Sequence, residues 1–310
     1  MNPNYSPPAI DTKTPHPARM YDAYLGGTAN YAADREAVRQ VLLAAPEMCD
    51  VARANRAFLR RAVRFLVGEA GIRQIIDIGA GISTVGNVHE VAREIAPETR
   101  VVYVDNDPIV LEYADALDSR TTKIILADLR EPEKILMDRS VGELIDFSQP
   151  VALLLVAVLH FVTTDENPYS IVATLRDALP VGSYLALSHA TADFRTEAAS
   201  KATAVYDHAT SSVTLRSHKQ ITGFFGGFDL LRPGLVQAPL WRPDGQSSIS
   251  EDLEKIWIYA GVGRRSGWYP RSLLFDLQLT QVRRRELDEL FPSPGQDRPC
   301  GVQVKPLISP

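Results

Sequence analysis

Apolar and polar positions alternate with two different periods along the chain, and the change of period marks out its organisation. From residue 74 to 188, short runs that are apolar throughout alternate with stretches apolar at every third or fourth position. The runs at 74–78, 100–104, 123–127, 151–158 and 184–188 read as strands buried on both faces. Between them, Val85, Val88, Val91 and Ile95 fall on one face of a helix over 84–95. Pro108 suits the first position of a helix to about 117, because its missing N–H has no partner there anyway. Asn167-Pro168 likewise reads as a cap and first residue of a helix to 179. Strand and helix in alternation imply a doubly wound parallel α/β sheet.

The flanks have the longer period. Residues 18–25, 30–45 and 51–68 read as helices, the last with Phe58, Leu59, Ala62, Val63 and Leu66 on one face. Arg53, Arg56, Arg60, Arg61 and Arg64 lie largely on the other and read as a solvated basic face. Beyond 188, helices near 194–208 and 217–225 precede strands near 228–236 and 255–262, for a sheet of about seven strands. Residues 1–17 hold five prolines and few large apolar groups, which describes a flexible arm. Residues 18–70 form an N-terminal helical lid or cap and 71–265 the main domain. In the tail, 266–310, a charged helix over 272–291 gives way to a proline-rich end without structure.

Composition narrows the function. The chain has 310 residues, 45% hydrophobic and 23% charged, with net charge −5. An acidic balance without a basic-aromatic stripe argues against nucleic acid as partner. Cys49 and Cys300 are far apart and lack metal-ligand spacing, which fits a reducing compartment. The start of the chain has no apolar signal core. The longest apolar run, 151–159, falls well short of a membrane span. These features describe a cytoplasmic protein that works without a membrane. A homodimer is left open.

Ligands of doubly wound sheets bind at the carboxyl ends of the strands. After the first strand stands Asp77-Ile78-Gly79-Ala80-Gly81, a turn whose glycines let the backbone approach a ligand. Thr84 stands where a dinucleotide fingerprint needs its third glycine, which counts against a nicotinamide oxidoreductase. The second strand ends in Asp105-Asn106-Asp107-Pro108. Asp107 is placed to cap the next helix, which frees Asp105 to accept from two ribose hydroxyls. The third ends in Asp128-Leu129, a carboxylate for an exocyclic amine beside an apolar side chain for a flat ring.

DIGAG, then VD, then AD-L resemble the motifs of class I S-adenosylmethionine-dependent methyltransferases, with a Rossmann-like sheet. More narrowly, PHPARMYDAYLGGTANYAADRE, DIGAG, VVYVDNDP, LHFV, GSYLALSHAT, LVQAPLWRPD and IWIYAGVGR, over about 10–265, resemble an actinobacterial S-adenosyl methyltransferase-like family without an assigned substrate. The resemblance implies S-adenosylmethionine as cofactor. Asp77, Gly79 and Gly81 would face its amino-acid part, Asp105 with Asn106 its ribose, and Asp128 with Leu129 its adenine. It also implies methyl transfer to a small-molecule acceptor, with a non-catalytic binding protein as the alternative.

Two histidines stand at later strand ends. His160 and His189 are each either a general base or a packed ring that shapes the site through a hydrogen bond. Trp241-Arg242 reads as an anion site or as a turn with one buried aromatic. Residues 20–36, MYDAYLGGTANYAADRE, hold Tyr21, Tyr24 and Tyr31 around Gly26-Gly27. Tyr21, Tyr31 and Arg19 are expected to line the cofactor or substrate pocket, or the tyrosines to pack in the core.

Overall fold

The computed structural model describes residues 9–81, 87–245 and 252–267. Three helices come first: α1 (Pro17–Tyr24), α2 (Ala32–Ala44) and α3 (Met48–Arg64), the last continuing into a π turn, Phe65–Glu69. Then follow β1 (Gln74–Ile78), α4 (Val88–Arg93), β2 (Arg100–Asp105), a 3-10 helix (Pro108–Ala116) and β3 (Thr122–Leu126). Short helices α5 (Pro132–Leu136) and α6 (Arg139–Leu144) lead to β4 (Ala152–Val156), and α7 (Pro168–Ala178) leads to β5 (Tyr184–Ala190). The remainder is α8 (Thr196–Tyr206), α9 (His218–Gly223), β6 (Asp229–Leu230), β7 (Val236–Gln237) and β8 (Ile258–Arg264).

The strands join in one eight-stranded sheet, ordered β3-β2-β1-β4-β5-β8-β6, with β7 also on β8. β1 to β5 run parallel and β8 runs antiparallel to β5. The order reverses between β1 and β4, so their connections diverge and open a crevice at the carboxyl ends. Every residue of β1, β4 and β5 is buried, which explains their unbroken apolar runs. One apolar layer lies beneath α1 to α4 and α8, the other beneath α5 to α7 and α9.

Several expectations change in detail. The strand expected near 228–236 is two short ones, because Pro233 cannot donate to a ladder and Gly234 turns at φ 96°. Asn167 sits in the left-handed region, φ 53°, and its side chain caps nothing. The arginines of α3 are not one solvated face. Arg61 is buried and donates to the Trp241 and Ala238 carbonyls at 2.9 and 2.7 Å. Trp241 is fully buried, edge-on to Phe58, and Arg242 stacks 4.1 Å over Phe65. The start of the helix expected over 84–95, the helix over 272–291 and Cys300 lie outside the described residues. Among the described residues no helix is long and apolar enough to cross a membrane.

The N-terminal helices are fastened to the sheet by buried charge. Arg19 Nε lies 2.9 Å from Asp107 Oδ2, just past β2, and its Nη1 lies 3.7 Å from Asp34 on α2. Asp34 also accepts from the backbone N–H groups of His16 and Tyr31. The double glycine makes the turn between the helices. Gly26 has φ 80°, and a Cβ on Gly27 would sit 1.9 Å from the buried Asp22 carboxylate. That carboxylate is held by Asn30 Nδ2 at 2.8 Å. Replacing Arg19 leaves two buried carboxylates without the cation they share. Arg19→Met should therefore lower unfolding stability by about 3–5 kcal/mol in urea denaturation, and a loss under about 1 kcal/mol would remove the pair from this role.

Candidate functional site

The turn after β1 is built on its two glycines. Gly79 and Gly81 hold φ 74° and 63°, which favour glycine. The N–H groups of Gly79 and Ala80 donate to the Val104 carbonyl at 2.8 and 3.2 Å, tying the turn to β2. A Cβ on Gly79 would lie 2.3 Å from Val158, whereas one on Gly81 would meet only Ala18, at 4.0 Å. Gly79 is thus required by packing as well as by backbone angle.

Three carboxylates stand at successive strand ends. Asp105 accepts from Gly81 N at 2.8 Å and Asp107 N at 3.0 Å, one bond on each oxygen. Each oxygen keeps a further lone-pair direction for a ligand. Burial raises the Asp105 pKa, and those two N–H groups and His16 oppose the rise. Burial pushes Asp77 up to about 7, with the Arg56 guanidinium opposing and Asp105 adding to it. Asp128 takes Asn106 Nδ2 at 3.1 Å and Arg130 Nη1 at 2.9 Å. Arg130 reaches on to Glu166 at 2.7 Å and to the Phe161 carbonyl at 3.2 Å.

These groups line one cleft of about 1280 Å³, its open mouth included. The structure brings together here Asp77 with Gly79 and Gly81, Asp105 with Asn106, and Asp128 with Leu129. Tyr21 joins from α1 and His160 from the far side. Arg19, Tyr31 and His189 are not on this lining. Arg19 is buried in its ion pairs, and Tyr31 precedes α2 with its ring 5.4 Å from the Arg19 guanidinium. His189 is fully buried.

Beyond β4 the chain is strained. Ala157 has φ 56°, and its N–H donates to Ser188 Oγ at 2.9 Å. Ser188 Oγ donates to Asn55 Oδ1 at 2.6 Å, Asn55 Nδ2 donates to the Tyr21 hydroxyl at 2.9 Å, and that hydroxyl donates to the Ala52 carbonyl at 3.0 Å. Every member of this series is satisfied, so α1, α3 and β5 together hold the strained residue in place.

The two histidines are governed by Arg216. Its Nη1 donates to His189 Nε2 at 2.9 Å and to the Leu159 carbonyl at 2.9 Å, and its Nη2 donates to Val162 O at 2.7 Å. His189 Nδ1 therefore carries the proton and donates to the Ala190 carbonyl at 2.6 Å. Burial, with the Arg216 charge adding to it, lowers His160 to about 3, and burial lowers His189 as well. Both rings are neutral at ordinary pH. A ring held that low is a weak proton acceptor.

Several lining residues escaped the sequence reading. His16 has Nδ1 3.2 Å from both Asp107 Oδ2 and Ala18 N, and its signal was the PHPAR stretch ahead of α1. Arg56 and Arg130 also line the cleft, and their sequence surroundings match those of solvated arginines. Tyr206 and Trp257 lie on elements that only the fold brings here. Among the described residues no group of His, Cys, Asp and Glu is arranged to hold a metal ion.

A doubly wound sheet with an antiparallel strand set in beside β5, over a cleft edged by acidic strand ends, defines a class I methyltransferase fold. The family model described as S-adenosyl methyltransferase matches residues 3–266, and the chain belongs to that family, whose activity depends on S-adenosylmethionine. Two solved structures are similar along their whole length. One is a DUF574 family protein from Streptomyces avermitilis, at 41% identity and TM-score 0.80, covering 83% of this chain and 100% of its own. The other is a candidate methyltransferase from Thermobifida fusca, at 39% identity and TM-score 0.78, covering 85% of this chain and 100% of its own. No curated protein matches the chain.

Two measurements check the site's construction. Gly79→Ala should cost more than Gly81→Ala in thermal unfolding, because the strained angle costs each about 1–2 kcal/mol and only Gly79 adds a clash. Equal losses would contradict the packing role of Gly79. Asp77 has a folded pKa above its ordinary value of 3.8. Its contribution to stability is therefore full below about pH 4 and is lost as pH rises through about 7. Relative to Asp77→Asn, the wild type should lose up to about 4 kcal/mol across that window, and a pH-independent difference would contradict the shift.

Proposed function

We propose that this cytoplasmic enzyme methylates a small-molecule acceptor, with S-adenosylmethionine laid across the ends of β1, β2 and β3. The observation that carries the reading is Asp105. It is a buried carboxylate on the cleft lining, with one backbone N–H on each oxygen and a lone pair left on each. In this reading Asp105 takes the two ribose hydroxyls and Asn106 flanks them. Asp128 meets the adenine amine, and Leu129 packs on the ring. The turn from Asp77 to Gly81 lies along the amino-acid part, where an ammonium would favour the ionised Asp77 carboxylate.

The bound cofactor supplies an activated methyl group on a sulfonium, so the protein's work is chiefly alignment. Tyr21, through Asn55 and Ser188, holds the wall beside Ala157. His160 serves as a neutral hydrogen-bonding group at the methyl end, and His189 fixes the backbone behind it. The acidic net charge makes nucleic acid a poor acceptor, and the two cysteines suit a reducing compartment.

Calorimetry tests the reading. S-adenosylmethionine and S-adenosylhomocysteine should both bind and NAD should not. Asp105→Ala should weaken both by about 1.5–3 kcal/mol, the value of hydrogen bonds to a charged group. Unchanged affinity in that variant would remove Asp105 from the ribose site.

A further inference from the structure

Charge is segregated within the cleft. Apart from the neutral Tyr21 and Tyr206 hydroxyls, its charged or ionisable lining groups are Asp77, Asp105, Asp128, Arg56, Arg130 and His16, with His160 held neutral beyond them. The first three stand at the ends of β1, β2 and β3. Arg56 lies beside Asp77, Arg130 is bonded to Asp128, and His16 touches Asp107. All six thus have partners or neighbours in the half of the cleft that the cofactor reading fills, and Arg130 stands at its border, where it also reaches the Phe161 carbonyl and Ser211 Oγ.

The other half is made by α3, the segment after β4, α8 and the start of β8. Its surface is Met48, Val51, Leu59, Phe161, Tyr206 and Trp257. Among the described residues it carries no ionised side chain. Most of its polar side-chain atoms are already committed, the exception being Trp257 Nε1, which has no partner among the described residues. Asn55 is used by Tyr21 and Ser188, and the Tyr206 hydroxyl lies 3.0 Å from that of Tyr24. Burial raises Tyr206 to about 12, so that hydroxyl stays neutral. Three of the six side chains are aromatic, and the Phe161 and Tyr206 rings stand 5.8 Å apart at 45°. An ion placed there would lose its water and gain no oppositely charged side chain on that surface, whereas a flat apolar ring would gain contact area on every side.

We propose that the methyl acceptor is an uncharged, flat aromatic molecule, seated between α3 and the Phe161, Tyr206 and Trp257 side chains. The proposal rests on the methyltransferase reading of the same cleft. The acceptor's one polar group, a hydroxyl or an amine, points to the His160 edge of the cavity. Its lone pair forms the bond to the methyl carbon as the sulfur–methyl bond breaks and that electron pair stays on sulfur. The acceptor's proton leaves to water at the mouth, since His160 is a weak base.

The full chain, saturated with S-adenosylhomocysteine, is titrated calorimetrically with probes of one size: 2-naphthol, 2-naphthoate, 2-naphthylmethylammonium and decahydro-2-naphthol. The proposal expects 2-naphthol to bind at least about ten-fold more tightly than either ion, and more tightly than the saturated alcohol. It is overturned if either ion binds as tightly as 2-naphthol, or if the saturated alcohol does. It is also overturned if none of the four binds to protein that binds S-adenosylhomocysteine. Failure of S-adenosylhomocysteine itself to bind strikes the cofactor reading, and this proposal with it. Met48 is only half-buried, so Met48→Lys can keep the fold while placing a cation on the wall. In that variant the preference should shift toward 2-naphthoate. An unchanged preference would show that the probe sits elsewhere.

Discussion

One buried cation, Arg19, fixes how the N-terminal helices meet the sheet. Its guanidinium lies between Asp107, two residues past Asp105 at the end of β2, and Asp34 at the start of α2. Each buried carboxylate needs a partner, and the same cation serves both. α1 is thereby held against the end of β2, which sets His16 and Tyr21 on the cleft and closes one side of it. The cap forms one wall of the cleft. The double glycine belongs to the same construction, since it wraps the chain around Asp22 and delivers Asp34 to Arg19.

The same segment reaches the chemical end of the cleft by a different route. Tyr21, Asn55 and Ser188 form a satisfied series of hydrogen bonds that ends on the N–H of Ala157, a residue in a backbone region side chains avoid. Arg216 does comparable work for the 159–162 turn by binding two of its carbonyls and the His189 ring. Among the described residues it has no carboxylate within ion-pair distance, and it is buried. Burial keeps the nearby imidazoles neutral, and the Arg216 charge adds to it. The uncharged half of the cleft is therefore a result of the framework as well as of the residues that line it.

Much of this was legible in the sequence for a physical reason. Central strands buried on both faces read as unbroken apolar runs, and 74–78, 151–158 and 184–188 identified β1, β4 and β5. Asp77 was singled out because it breaks such a run one residue before its end, and Asp105 and Asp128 because each follows one directly. The cap was harder. Arg19 looks like any helical arginine until Asp107 is brought beside it from a distant part of the chain. Arg56 and Arg61 share one helix, yet one meets the cleft and the other the carbonyls of 238–241. Their sequence surroundings carry no sign of that difference. The strand expected near 228–236 failed at Pro233, which interrupts a run that otherwise reads as extended.

The central claim is that the carboxylates at the ends of β1, β2 and β3 hold S-adenosylmethionine beneath a fixed α1 wall. A crystal structure of the full chain with S-adenosylhomocysteine tests it most directly. The account predicts the ribose hydroxyls on Asp105, the adenine beside Asp128 and Leu129, and Arg19 still bridging Asp107 and Asp34. A ligand bound away from Asp105, or α1 displaced with that bridge broken, would contradict it.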